Sequence, residues 1–145
     1  MAYSKSQLED YSFKWSQARL VIAAAALFLG GIPPVVYFNP IPALYGSIST
    51  LLRLAWLISG VASVYLLYRW NGQRKLFGRK DRIDTLAFFV SAISGINLGI
   101  AGLIGLNIGM AVTSGSFIFT VVGLLYLVSA WRLHKHWKLN DRKLF

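Results

Sequence analysis

Four apolar stretches, residues 20–38, 50–68, 86–108 and 116–131, constrain this chain more than any other feature. Each runs for about 16–23 residues, close to the ~20 a helix needs to cross ~30 Å of hydrocarbon. The 145 residues are 56% hydrophobic and 14% charged, whereas a soluble domain carries about a quarter charged. Lipid is therefore the expected solvent. It offers no partner to an open backbone N–H or C=O, so each crossing must be helical. The expected fold is all-α: a polytopic membrane protein forming one four-transmembrane-helix bundle over the whole chain.

Charge then sets the orientation. Connections 39–49 and 109–115 carry none. Lys5, Lys14 and Arg19 precede the first stretch, the loop 69–85 holds six cations, and the tail 132–145 holds five. The positive-inside rule places both termini and the loop in the cytoplasm, with two hairpins facing out. A bacterial or archaeal cytoplasmic membrane is the expected location. The first stretch exceeds the apolar core of a cleaved signal and lacks a small-x-small site after it, so it reads as a retained span. There are no cysteines, which excludes disulfides, redox pairs and thiolate metal sites.

Ahead of that span, "SQLEDYSFKW" reads as a short interfacial helix. Ser6 and Glu9 have capping-box spacing, Asp10 and Lys14 the favourable i,i+4 order, and Leu8, Tyr11 and Trp15 share a face. The alternative is a helix running straight into the span. Trp15, Tyr68, Trp70, Trp131 and Trp137 fall at inner span ends, with Tyr37, Tyr45 and Trp56 towards the outer side, as an aromatic belt would have them.

The third stretch contains "SGINLGIAGLIGLNIG". On a helical wheel Gly95, Gly99, Gly102, Gly105 and Gly109 fall within a ~120° arc with Ser91 on the same side, and Gly95–Gly99 is a GxxxG step. Without side chains, such a stripe lets another helix approach closely. The partner is either a helix of the same bundle or another subunit, and a glycine-lined pore ranks last. Asn97 and Asn107 flank the stripe and call for amide partners, with Ser59, Ser63, Thr120 and Ser129 as candidates.

Arg53 is the one cation away from the basic side. It lies shallow in the second span with no acid to pair with, which leaves outer lipid phosphate, backbone carbonyls or an anionic ligand. Gly30, Gly31, Pro33 and Pro34 in "GGIPP" predict a kink or an early end to the first span. "RKLF" occurs at 74–77 and 142–145, with its cations expected at headgroups and its Leu and Phe in the interface. Arg74, Lys75, Arg79, Lys80, Arg82, Lys138, Arg142 and Lys143 form the surface expected to meet anionic inner-leaflet lipid or an acidic partner, while nucleic acid is disfavoured. Asp84 or Thr85 is expected to cap the third span.

Catalytic chemistry is thin. His134 and His136 stand about 200° apart on a helix, and the spans contain no paired carboxylates, thiol or phosphate loop. No enzyme activity, cofactor or metal is expected. The leading reading is a non-catalytic membrane subunit assembling through glycine-mediated packing, with itself or within a larger complex. Behind it stands a small channel, transporter or lipid-translocating protein using Arg53 with Asn97 and Asn107. A holin-like pore former ranks third.

The absence of native cysteine makes the topology directly testable. Ala43→Cys should react with a membrane-impermeant maleimide on intact cells, and Gly78→Cys only after permeabilisation. Labelling of both from one side would overturn the four-span reading.

Overall fold

The computed structural model describes residues 4–112 and 115–145. Helices α1 (Lys5–Phe28), α2 (Pro34–Tyr37), α3 (Tyr45–Gln73), α4 (Arg82–Ile104), α5 (Ile108–Val112) and α6 (Ser116–Leu139) follow in order, with a 3₁₀ turn at Pro42–Leu44. Three segments are long and apolar enough to cross a membrane: Pro42–Gln73, α4 and α6. The second expected hairpin, 109–115, lies partly outside the described residues.

The first apolar stretch departs from expectation. Ser4, not Ser6, caps α1, accepting from the Gln7 amide while the Gln7 side chain accepts from the Ser4 amide. The helix then runs unbroken through Trp15, so there is no separate interfacial helix. It stops at Phe28, short of Gly30 at φ 74° and Gly31 at φ 89°, a conformation that glycine adopts without strain. Pro33 and Pro34 follow, and prolines lack the amide a continuing helix needs. Residues 20–38 are thus not one span.

The third stretch is also shifted. Asp81, rather than Asp84 or Thr85, caps α4, its carboxylate accepting from the Ile83 and Asp84 amides at 2.8 and 2.9 Å. The Asp84 amide, then that of Ile83 and the nearby Arg132 and Arg79 charges, hold the Asp81 carboxyl below the usual aspartate range. A depressed carboxyl contributes stability above its ordinary value and loses it as pH falls through the lowered one, so this cap persists through neutral and mildly acidic pH. At the other end Gly105, at φ 74°, terminates the helix after Ile104. Gly105 and Gly109 therefore do not extend the α4 stripe. The fourth stretch gains length instead, because α6 continues to Leu139 and carries Arg132 and His136 on the same helix.

The remaining glycines bring α3 and α4 together. A Cβ on Gly60 or Gly99 would lie 2.7 Å from the other's Cα, Gly95 sits under the Ser63 side chain, and Gly102 faces Leu57. The glycine face is covered by a helix of the same chain. Small polar side chains fill the interior, with Ser59, Ser63, Ser91, Ser94 and Ser129 buried, while Val61, Tyr68, Ile93, Leu103 and Phe117 are 64–80% exposed. Apolar outside and polar within is the distribution a lipid solvent favours.

One end of the bundle is built differently. The start of α1, the ends of α3 and α6, and the start of α4 enclose an aromatic core of Phe13, Phe88, Leu133 and Trp137. The Leu and Phe of the RKLF segments belong to it. Leu76, Phe77 and Leu144 are buried rather than inserted in an interface, and the Phe77 amide donates to the Leu144 carbonyl at 2.8 Å. Around this core Glu9 pairs with Arg69. Fully buried Asp84 accepts from Arg132 Nε at 2.7 Å and Arg79 Nη2 at 3.2 Å, and meets His136 Nδ1 at 2.7 Å. The cations Arg74, Lys75, Lys80, Arg82, Lys138, Arg142 and Lys143 stay exposed on this end, Arg142 lying over the Trp137 ring.

Gly99→Ala forces two backbones apart and should lower stability in detergent by about 1–3 kcal/mol. Gly72→Ala, where a Cβ meets nothing within 4 Å, should instead gain about 0.5–1 kcal/mol. Equal unfolding midpoints for the two variants would contradict the close approach.

Candidate functional site

The break at Gly30 determines where Arg19 goes. Only nine apolar residues, Leu20–Phe28, follow it in α1, about 13 Å of helix and far short of a bilayer. The helix therefore packs with its middle, not its end, against its neighbours. Arg19 is 6% exposed. Its Nη1 donates to Ser94 Oγ at 3.0 Å and its Nη2 to the Ser91 carbonyl at 2.8 Å and Ser91 Oγ at 3.3 Å. Those serines lie nine and twelve residues into α4, or about 14 and 18 Å along a 23-residue helix. The guanidinium thus sits near the halfway level of a helix long enough to span a bilayer.

The arginine lines a partly open cavity of about 360 Å³. Its walls are mainly apolar and come from α1, α3, α4 and α6, including Ile22, Ala26, Trp56 and Val122. Few polar groups converge on it: Arg19, Trp15, Ser94, Asn97 and Tyr126 are the main ones. Trp15 Nε1 donates to Ser59 Oγ at 3.0 Å, and Ser59 in turn donates to the Ala55 carbonyl at 2.7 Å, so this polar edge is largely satisfied. Arg19 Nε is buried and has no hydrogen-bond partner. An apolar pocket with a few fixed polar groups is the usual form of a small-molecule site.

Asn97 and Asn107 close the end of the cavity away from the aromatic core. Asn97 Nδ2 donates to Asn107 Oδ1 at 2.8 Å, the Gly109 amide donates to Asn97 Oδ1 at 3.2 Å, and the Met110 amide donates to Asn107 Oδ1 at 3.1 Å. These bonds replace the expected ones to Ser59, Ser63, Thr120 or Ser129, and they fold the segment after α4 back over the bundle. The Met110 side chain lies against Gly31, where a side chain would collide with it. The break in α1 and the turn after α4 thus meet at one place.

Arg53 is elsewhere. Its Nε donates to the Gly102 carbonyl at 2.7 Å and its Nη2 to the Leu103 carbonyl at 3.1 Å. These are orphan acceptors at the C-terminal end of α4, which a cation satisfies while also meeting the negative end of the helix dipole. Backbone carbonyls are its partners, and it does not join Asn97 and Asn107. Ser91, read as part of the packing stripe, bonds Arg19. Arg19 itself was grouped with the cations flanking the first span, because the apolar run begins one residue later. Measuring one bilayer-length back from Gly30 would have placed it mid-helix. Among the described residues no three His, Asp or Glu side chains gather as a metal site requires.

Comparison with protein-family models, curated proteins and solved structures finds no match. Function rests on the chemistry of the site itself.

A buried cation without a counter-charge costs stability, and an apolar residue of similar volume removes that cost, as it does when it replaces a buried ion pair. Arg19→Met should therefore leave the unfolding midpoint in detergent unchanged or raise it, by about 0–3 kcal/mol. A large loss would assign Arg19 to holding the fold rather than to a ligand.

Proposed function

We propose that this chain is a non-catalytic integral membrane protein that receives a lipid-soluble, amphiphilic molecule in the cavity between α1, α3, α4 and α6. In this reading α1 is the fourth crossing, its polar middle shielded by α3, α4 and α6, and both termini lie in the cytoplasm of a bacterial or archaeal cell. The observation that carries it is the cavity's composition, a mostly apolar wall around one deep guanidinium. A molecule with an apolar body and a polar end meets both demands. A water-soluble metabolite meets only one.

This reading is close to the lipid-translocating alternative drawn from sequence, with Arg19 taking the place there given to Arg53. Assembly with other copies or subunits has less support at the glycines, since Gly95, Gly99 and Gly102 face α3 of the same chain. The exposed cations of the aromatic end favour anionic inner-leaflet lipid or an acidic partner, and cytoplasmic contact would use that surface.

Gentle extraction followed by lipid analysis should recover about one amphiphile per chain, and Ala26→Trp, which fills the cavity, should reduce retention by about five-fold or more. Circular dichroism checks that the variant keeps its helices. Equal retention by both proteins would sink the proposal.

A further inference from the structure

We infer that the end of this molecule that reaches Arg19 is an oxyanion, the phosphate or carboxylate head of an anionic amphiphile. The inference rests on the proposed cavity function and adds the identity of the recognised group.

Charge accounting points to it. The chain has five acids, and four are engaged away from Arg19. Glu9 pairs with Arg69, Asp10 with Lys14, and Asp81 and Asp84 with Arg132. The fifth, Asp141, is exposed beyond the end of α6, in the tail. No carboxylate of the protein is available to the buried guanidinium.

The partners that Arg19 does have are neutral oxygens, Ser94 Oγ, Ser91 Oγ and the Ser91 carbonyl. They satisfy part of the planar donor fork and none of its charge. A cation held in apolar surroundings is costly even by the lenient insertion scales. An arriving oxyanion offsets that cost, accepts from unpaired Nε, and suits the fork in bidentate fashion. Tyr126 on the same wall carries a further polar group.

The same geometry excludes other ligands. A cationic amphiphile would add repulsion at low dielectric, where charges are weakly screened. A free inorganic anion would leave the apolar wall unused and would have to shed its water entirely. The chain or ring body lies along Ile22, Ala26 and Val122, and the head lies at the level of Ser91 and Ser94.

The test uses the full chain in nanodiscs of zwitterionic lipid, with four probes matched in chain length: dodecyl phosphate, dodecanoate, dodecanol and dodecyltrimethylammonium. Binding is followed by tryptophan emission, with each probe expressed as its mole fraction in the bilayer so that partitioning cancels. Dodecyl phosphate and dodecanoate should bind at least about ten-fold more tightly than dodecanol, the gain typical of one charge-assisted hydrogen bond. The ammonium probe should be weakest, and inorganic phosphate alone should give no response. Arg19→Gln should erase the preference while dodecanol still binds, and Arg19→Lys should retain part of it. Equal binding of dodecanol and dodecyl phosphate by the unmodified protein overturns the oxyanion assignment but leaves the cavity function standing. Failure of all four probes overturns both. Inorganic phosphate binding as tightly as its dodecyl ester would assign the site to a free anion and refute the amphiphile.

Discussion

Two backbones meet with no room for a side chain between them at Gly60 of α3 and Gly99 of α4. Lipid does not drive helices together as water does, so such contacts depend on dispersion and on backbones meeting without side chains between them. This contact sets the α3–α4 pair. The adjoining face of α4 then presents Ser91 and Ser94, and α1 lays Arg19 across them beside Gly95. Arg53 secures the same pair from the other direction by satisfying the last carbonyls of α4. Glycine therefore acts here through position, and the polar site follows from the apolar packing.

The two ends of the bundle use different chemistry. At the basic end, aromatic rings and a buried aspartate with its partners Arg79, Arg132 and His136 join all the long helices, and the paired RKLF segments complete the core. A buried ionic cluster like this is costly to assemble but far costlier to break by removing one member. At the other end the chain turns at Gly30, Gly31 and Gly105, and two asparagines bonded to each other hold the segment after α4. The first end resembles the core of a soluble domain. The second is a set of hydrogen-bonded turns beside a cavity.

Much of this was legible in the sequence, for identifiable reasons. Apolar runs at 50–68 and 116–131 became parts of helices long and apolar enough to cross a membrane, because in lipid an uninterrupted run of that length has no other way to satisfy its backbone. Of the glycine arc, Gly95, Gly99 and Gly102 lie within α4 and face α3, whereas wheel geometry alone extended it to Gly105 and Gly109, past the point where a left-handed glycine ends α4. The GGIPP break was visible, but its effect upstream was not, since its consequence for Arg19 depends on the length of helix that must fit. The role of Leu76, Phe77 and Leu144 was hidden for another reason. A basic-apolar tetrapeptide at a membrane edge looks alike whether it faces headgroups or a core, and only tertiary pairing between distant segments separates the two.

The contrast between the ends has a mechanical outcome. A bundle fastened through rings and ion pairs at one extremity, and through glycine turns at the other, behaves like tweezers. Local opening concentrates where buried contacts are few, so the jaws part on the side away from the aromatic clamp, beside Met110 and Gly31. The segment pinned by Asn97 and Asn107 borders the cavity on that side, and the aromatic clamp lies at the far extremity.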